Sequence, residues 1–321
     1  KMNIDHAIIT NIDNDHLEFY SNSFFNLYDA FVKFATQIIN KKGILLIGID
    51  FEYSKKLYND LKIKYKHASI FSYSLNQENA DYFAKNIKDD GIYTVFDLYK
   101  KNHTNPIIKE IKIPNIGKHN VFNAIGAISL VINLFNNQAL KYIDGNVFDG
   151  LKGIDKRFML VGKVKITSKS QNVIDVDIVD DYAHHPTEIT TIIKAVNDSK
   201  RWDNFLLVFE PHKYTRVVSI YDDFLTAFKE AKDVIVMDIF GVSGGLKTDI
   251  TKDKFVNDIK KHSNNTNIII SKSNQSLLEE IFDFIKNNYT SNNSKTLVLF
   301  IGAGLSSYFA KKTQTFFNKL S

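Results

Sequence analysis

Val179-Asp180-Asp181-Tyr182-Ala183-His184-His185-Pro186-Thr187-Glu188 places an acidic pair, a tyrosine and two adjacent histidines where an apolar run, Val173 to Val179, gives way to a helical pattern from residue 187. A strand-length apolar run feeding a helix is the repeating unit of an open α/β sheet. Such sheets take ligands at these strand ends, because first-turn N–H groups lack an intrahelical partner and the helix dipole favours anions. The stretch therefore points to an α/β fold that holds a phosphate-bearing ligand at this turn.

Downstream the rhythm repeats, with strand and helix patterns alternating over 187–197, 205–209, 217–230, 233–239, 251–261, 267–271, 276–287, 296–301 and 305–318. Parallel strands need crossover helices, so this succession implies a doubly wound, mostly parallel, Rossmann-like sheet. Upstream the pattern differs. Residues 6–11 read as a strand, and a helix follows through Phe24, Leu27, Phe31, Phe34 and Ile38. Gly43 to Ile49 is a short apolar strand, and 69–73, 92–99 and 107–113 alternate as half-buried strands expected to pair antiparallel. A helix from His119 to Phe135 closes this part, so two domains are expected, 1–150 and 151–321. No internal repeat or low-complexity linker interrupts them.

A chain of 321 residues with 44% hydrophobic content can bury a sizeable core in two domains. It contains no cysteine, which excludes disulfides and thiolate metal sites and fits a cytoplasmic setting. The longest apolar runs, such as Phe205 to Phe209 and Thr296 to Ile301, are far short of a membrane span. The net charge of +5 is spread along the chain, which reads mainly as a solvated surface that could also attract an acidic nucleotide substrate, and neither a nucleic-acid nor a membrane partner is expected.

Two further groups carry recognisable chemistry. Asn120 and Asn123 stand three apart on the helix opening at His119, and an amide presents donor and acceptor together, as an adenine edge requires. Asn120 serves equally as a cap and His119 as a turn residue. His212, Lys213 and Arg216 follow the strand 205–209, with Lys213 and Arg216 expected to share one face at a helix start and to attract a carboxylate or phosphate. Against these, the chain has no Gly-x-x-x-x-Gly-Lys-[Ser/Thr] phosphate loop. The nearest approach, Gly241 to Thr248, has Leu246 where glycine is needed, and its role stays open.

Five segments, in order, resemble the Mur ligase family. Val179 to Glu188 is similar to its signature in the form found in the alanine-adding members. Phe209-Glu210-Pro211-His212-Lys213-Tyr214-Thr215-Arg216 resembles the family's Phe-Gln-Pro-His-Arg-Tyr-Thr-Arg. Gly117 to Ala124 is similar to the adenine-binding segment, Gly153 to Phe158 to the Arg-Arg-Phe entry into the last domain, and Thr10 to Leu17 to a strand-to-helix segment carrying a metal-binding histidine.

The resemblance implies that 1–150 is the C-terminal part of the family's central ATP-binding domain, without its phosphate loop, and 151–321 its C-terminal domain. It implies a ligase that uses ATP and Mg2+ to join L-alanine to UDP-N-acetylmuramate through an acyl phosphate. The N-terminal part of the same protein would then be missing and the chain inactive alone. His119, Asn120, Asn123, Asp181, Tyr182 and His184 would contact the nucleotide, and His16 would ligate magnesium. Arg157, His212, Lys213 and Arg216 would face the phosphates and the substrate carboxylate. Lys156 and Lys213 replace family arginines, keeping charge but losing the bidentate fork. Gly302-Ala303-Gly304 receives no role, Leu305 standing where the family has an acid. A murein tripeptide recycling ligase and a non-catalytic nucleotide-binding fragment stay open as alternatives. Asp181, His184, His212 and Arg216 are expected to line one cleft at the carboxyl ends of adjacent parallel strands.

Overall fold

The computed structural model describes residues 4–14, 17–89, 93–114, 116–150, 156–241, 250–263 and 266–320. The chain divides into two compact units, Lys1–Leu151 and Lys152–Ser321.

In the first unit the described residues form β1 (Ala7–Ile9), α1 (Phe24–Asn40), β2 (Leu45–Gly48), α2 (Glu52–Lys64), β3 (Ile70–Ser74), β4 (Tyr82–Asp89), β5 (Thr94–Lys100), β6 (Ile108–Ile113) and α3 (Lys118–Leu134). The strands lie in chain order in one sheet. Every residue of β2 is buried, as expected of a parallel strand covered on both faces. Leu45 and Ile47 point toward α1 and α2, where Ile38, Leu57 and Leu61 meet them, while Leu46 packs with Val121, Phe122 and Ile125 of α3. Gly48 admits α3 closely, since a Cβ there would lie 2.2 Å from the Phe122 ring.

The antiparallel expectation holds for β5 and β6 but not for β3, which pairs parallel with both β2 and β4. Its pairing with β4 spans two residue pairs, Tyr73 to Tyr82 and Ser74 to Phe83. β4 thus starts beside the end of β3 and runs on past it, so a short link suffices without a crossover helix. Alternation in sequence gives the face of a residue, not the direction of its strand. The reading also passed over α2 and β4. Among the buried residues of α2, the apolar ones are Leu57 and Leu61, and β4 carries a register shift between Lys85 and Lys88, with Asn86 left-handed at φ 56°.

The second unit contains β7 (Met159–Thr167), β8 (Val173–Asp181), α4 (Pro186–Ser199), β9 (Asn204–Phe209), α5 (Tyr214–Ser219), α6 (Tyr221–Ala227), β10 (Asp233–Val236), α7 (Lys252–His262), β11 (Asn267–Ile270), α8 (Leu277–Asn288), β12 (Ser294–Ile301) and α9 (Ser306–Phe317). The sheet order is β11-β10-β9-β12-β8-β7, parallel throughout except for β7. The doubly wound expectation is met. Val176, Ile178, Leu206, Val208, Val298 and Phe300 pack with α8 and α9 on one face. On the other, Phe209 meets Phe224 of α6 and Phe228, and α6 contacts α4 and α7. The helix expected over 217–230 is two short helices separated at Ile220, which has φ −128°.

Candidate functional site

β8, β12 and β9 end level with one another, Asp181 and Phe209 both being in register with Ile301. The loop after β12 leads to α9 on one face, while those after β8 and β9 lead toward α4 and α6 on the other. Diverging loops open a crevice at the carboxyl ends of the strands, the switch point of an open α/β sheet. The 181–185 and 211–216 segments therefore lie along the same edge. Their strands are not adjacent, as the sequence reading had them. β12 lies between β8 and β9, because a crossover returns the last strand to the middle of the sheet.

The turn after β8 is built by hydrogen bonds to its acids. Asp181 is 5% exposed, and its carboxylate accepts from the N–H groups of Ala183 and Phe158, both at 2.7 Å. Burial pushes its pKa up to about 6, against the two N–H donors and the nearby Arg157 charge. The Tyr182 N–H donates to the Lys156 carbonyl at 2.7 Å, so residues 156–158 are clipped to the turn at both ends. Lys156 and Phe158 adopt left-handed φ of 59° and 47°. Between them Arg157 lies over the Tyr182 ring at 5.9 Å and reaches Glu188 at 3.6 Å.

His185 caps α4: its Nδ1 accepts from the Thr187 N–H at 3.3 Å, and Glu188 returns the bond to the His185 N–H at 3.2 Å. This is a capping box with imidazole in the serine position, followed by proline at the first helical position. His184 instead faces the edge, its Nδ1 2.8 Å from the Tyr182 carbonyl. A carbonyl only accepts, so that nitrogen carries the proton. Asp180 is structural, accepting from the Ser307 hydroxyl of α9.

On the β9 side, Lys213 donates its N–H to the Phe240 carbonyl at 2.9 Å, and Phe240 donates to the Pro211 carbonyl at 2.7 Å. This pairing corrects the reading that Lys213 and Arg216 share a helix face. Lys213 stands before α5 as its N-cap, held left-handed at φ 62° by the bond to Phe240, and the helix begins at Tyr214. His212 stacks on the Phe240 ring at 5.2 Å and 10°, and meets His184 edge-on at 5.9 Å. His184 meets Tyr182 at 5.1 Å. The edge thus carries a row of rings: Phe240, His212, His184, Tyr182. Burial, followed by the charges of His184, Lys213 and Arg216, lowers the His212 pKa to about 4. The imidazole is therefore neutral at neutral pH, and its buried Nδ1 has no hydrogen-bond partner among the described residues.

In the first unit, Gly117 opens α3 at φ 102°. Asn120 donates one amide N–H to the Ile116 carbonyl at 2.7 Å, Asn123 is exposed and His119 is half-buried. His16 and residues 242–248 of the glycine-rich run lie outside the described residues. Among the described residues, no three His, Asp or Glu side chains are placed to hold a metal ion. The cationic edge of the second unit suits a phosphate or carboxylate.

The sequence reading gave no role to Glu188, Glu210 or Phe240, quoting the two glutamates only within longer runs. The spacing of Glu188 from His185, three residues ahead of it at a helix start, is a capping-box signal that was available. Phe240 arrives from a separate loop and has no such signal.

Residues 1–131 match the family described as Mur ligase middle domain, and residues 166–304 the family described as Mur ligase, glutamate ligase domain. The chain is similar to the UDP-N-acetylmuramate--L-alanine ligase of Rickettsia felis, with 32% identity over 313 residues that cover 95% of this chain and 60% of the relative. It therefore spans about 60% of that relative's length. The UDP-N-acetylmuramate-alanine ligase of Thermotoga maritima shares the fold, with TM-score 0.69, 19% identity and coverage of 99% and 60% of the two chains. A second Thermotoga maritima ligase of the family, solved in complex with ADP, aligns at TM-score 0.61 and 13% identity over 99% and 63% of the two chains. With both of its compact units matching successive domains of one family, the chain belongs to the Mur ligases.

Proposed function

We propose that the protein carrying this chain is an ATP-dependent ligase of peptidoglycan precursor synthesis, working in the cytoplasm, that joins L-alanine to the lactyl carboxylate of UDP-N-acetylmuramate. The observation that carries the reading is the gathering of Arg157, Tyr182, His184, His212 and Lys213 on one edge of a parallel sheet, at a switch point. ATP supplies the phosphoryl group that converts the carboxylate to an acyl phosphate. Phosphoryl transfer asks little covalent chemistry of a protein, so the residues' work is orientation and charge neutralisation.

In this reading Arg157, Lys213 and Arg216 neutralise phosphate and carboxylate oxygens, and neutral His212 offers a hydrogen bond without adding charge. His184 and Tyr182 give flat apolar contact beside them. Asp181 uses one lone pair of each oxygen on backbone N–H groups, which leaves the second to accept from ribose hydroxyls. His119, Asn120 and Asn123 bind adenine, with Asn123 the more available of the two amides. Magnesium is the proposed metal and His16 its proposed ligand.

The test uses the full-length protein with UDP-N-acetylmuramate and ATP. Phosphate release that depends on free L-alanine, yielding the amide product, is the expected result. Turnover with a cell-wall tripeptide in preference to alanine would replace the substrate assignment, and release that depends on neither would overturn the ligase reading.

A further inference from the structure

Glu210 is fully enclosed, at 1% exposure, and belongs to none of the groups assigned to substrate. Its carboxylate accepts three N–H bonds from the first turn of α9 and the residues before it: Gly304 at 2.9 Å, Leu305 at 2.8 Å and Ser306 at 3.2 Å. Its own N–H donates to Ile301 at 2.9 Å, so main chain and side chain together tie the exit of β9 to the exit of β12. At a switch point, the N-terminus of a helix such as α9 is where an external anion would otherwise be held. Here the protein's own carboxylate occupies that place.

The same contact reaches the row of rings. Gly304 lies against both Glu210 and Phe240: a Cβ there would stand 2.6 Å from the Phe240 ring and 2.8 Å from the Glu210 carboxylate. Phe240 in turn stacks on His212. An unbroken series of contacts therefore runs from Glu210 through Gly304 and Phe240 to His212, and Pro211 and His212 follow Glu210 directly in the chain. We propose that Glu210 is a positioning residue, fixing the Gly302–Ser306 turn so that Phe240 seats His212 in the candidate site. The consequence for catalysis rests on the ligase reading, whereas the seating of His212 does not.

The test follows the His212 imidazole by NMR titration in the full-length protein, with ATP dependence of turnover as a second readout. Glu210→Gln keeps the shape but sets an amide N–H2 against backbone N–H donors. The turn should shift, His212 should gain solvent between His184, Lys213, Arg216 and Phe240, and its pKa should rise by roughly one unit, a tenfold gain in proton affinity. Glu210→Asp, which keeps the charge, should restore part of the wild-type titration. Gly304→Ala reaches the same ring with Glu210 intact and should give the same direction of shift, so the test survives if Glu210→Gln does not fold. Unchanged His212 titration in the folded variants would overturn the proposal, as would unfolding of both Glu210→Gln and Gly304→Ala, which would assign these residues to stability alone. A shifted titration in a protein without alanine-dependent turnover would uphold the positioning role and reject the ligase reading.

Discussion

Asp181 and Lys213 each hold a conformation at some cost to the fold. Asp181 has a folded pKa of about 6 against an ordinary 3.8, raised by burial. The folded state therefore binds the proton more tightly, and stability falls as pH rises from about 4 to 6, then levels off. The shift corresponds to about 3 kcal/mol. Asp181→Asn should flatten this slope, leaving a variant whose urea midpoint changes less than wild type between pH 4 and 7; an unaltered difference between those two pH values would refute the assignment. Glu210 contributes in the same direction, since burial raises its pKa too, so the comparison must be made variant against wild type. Lys213, at φ 62°, carries the strain of a left-handed residue with a side chain, about 1–2 kcal/mol. Lys213→Gly should melt higher than Lys213→Ala although both remove the charge, and both should raise the ATP requirement of the full-length enzyme. Equal melting temperatures would show that the bond to Phe240 does not hold the strain.

The α4 start is the element on which the site hangs. Glu188 accepts from both His184 and His185 N–H groups and pairs with Arg157, so one side chain links the helix cap to the strap at 156–158. Glu188→Ala should cost about 1–2 kcal/mol, the usual worth of a cap, and also free the Arg157 side chain. Urea unfolding of the second unit measures the first effect; a loss below a few tenths of a kcal/mol would mean the box is not stabilising. His185 illustrates why neighbouring identical residues part company. The residue before a proline is kept extended, which directs His185 into the capping position, while His184 turns its ring to the edge.

Each compact unit has its own core. In the second, Ile178, Val208, Val298, Phe300, Ile281 and Phe317 are all at 0% exposure. Residues 152–321 expressed alone should therefore unfold in a single cooperative transition; a broad, non-cooperative melt would show that this core is insufficient. The 321-residue chain also lacks a phosphate-loop run, whose backbone cradle and lysine account for on the order of 3 kcal/mol or more of transition-state stabilisation. We expect no ATP-dependent amide formation by this chain alone, and measurable product above background would refute that.

Much of the second unit was legible before any coordinates, because its fully apolar strands and amphipathic helices alternate at lengths that few other folds produce. The turn at 181–188 was legible for the same reason: a cap, a proline and an acid in local sequence specify a helix start without outside help. In the first unit the positions of most elements could be read, but the direction of β3 could not, since a period of two reports which face is buried and carries no sense of polarity. The Glu210 bonds to α9 join residues 94 and 95 apart in the chain, and the insertion of β12 between β8 and β9 and the left-handed Lys213, bonded to Phe240, likewise depend on partners outside the local sequence. Local propensity does not encode such pairings; they follow from which strand edges and helix ends are left to satisfy one another once the sheet has formed.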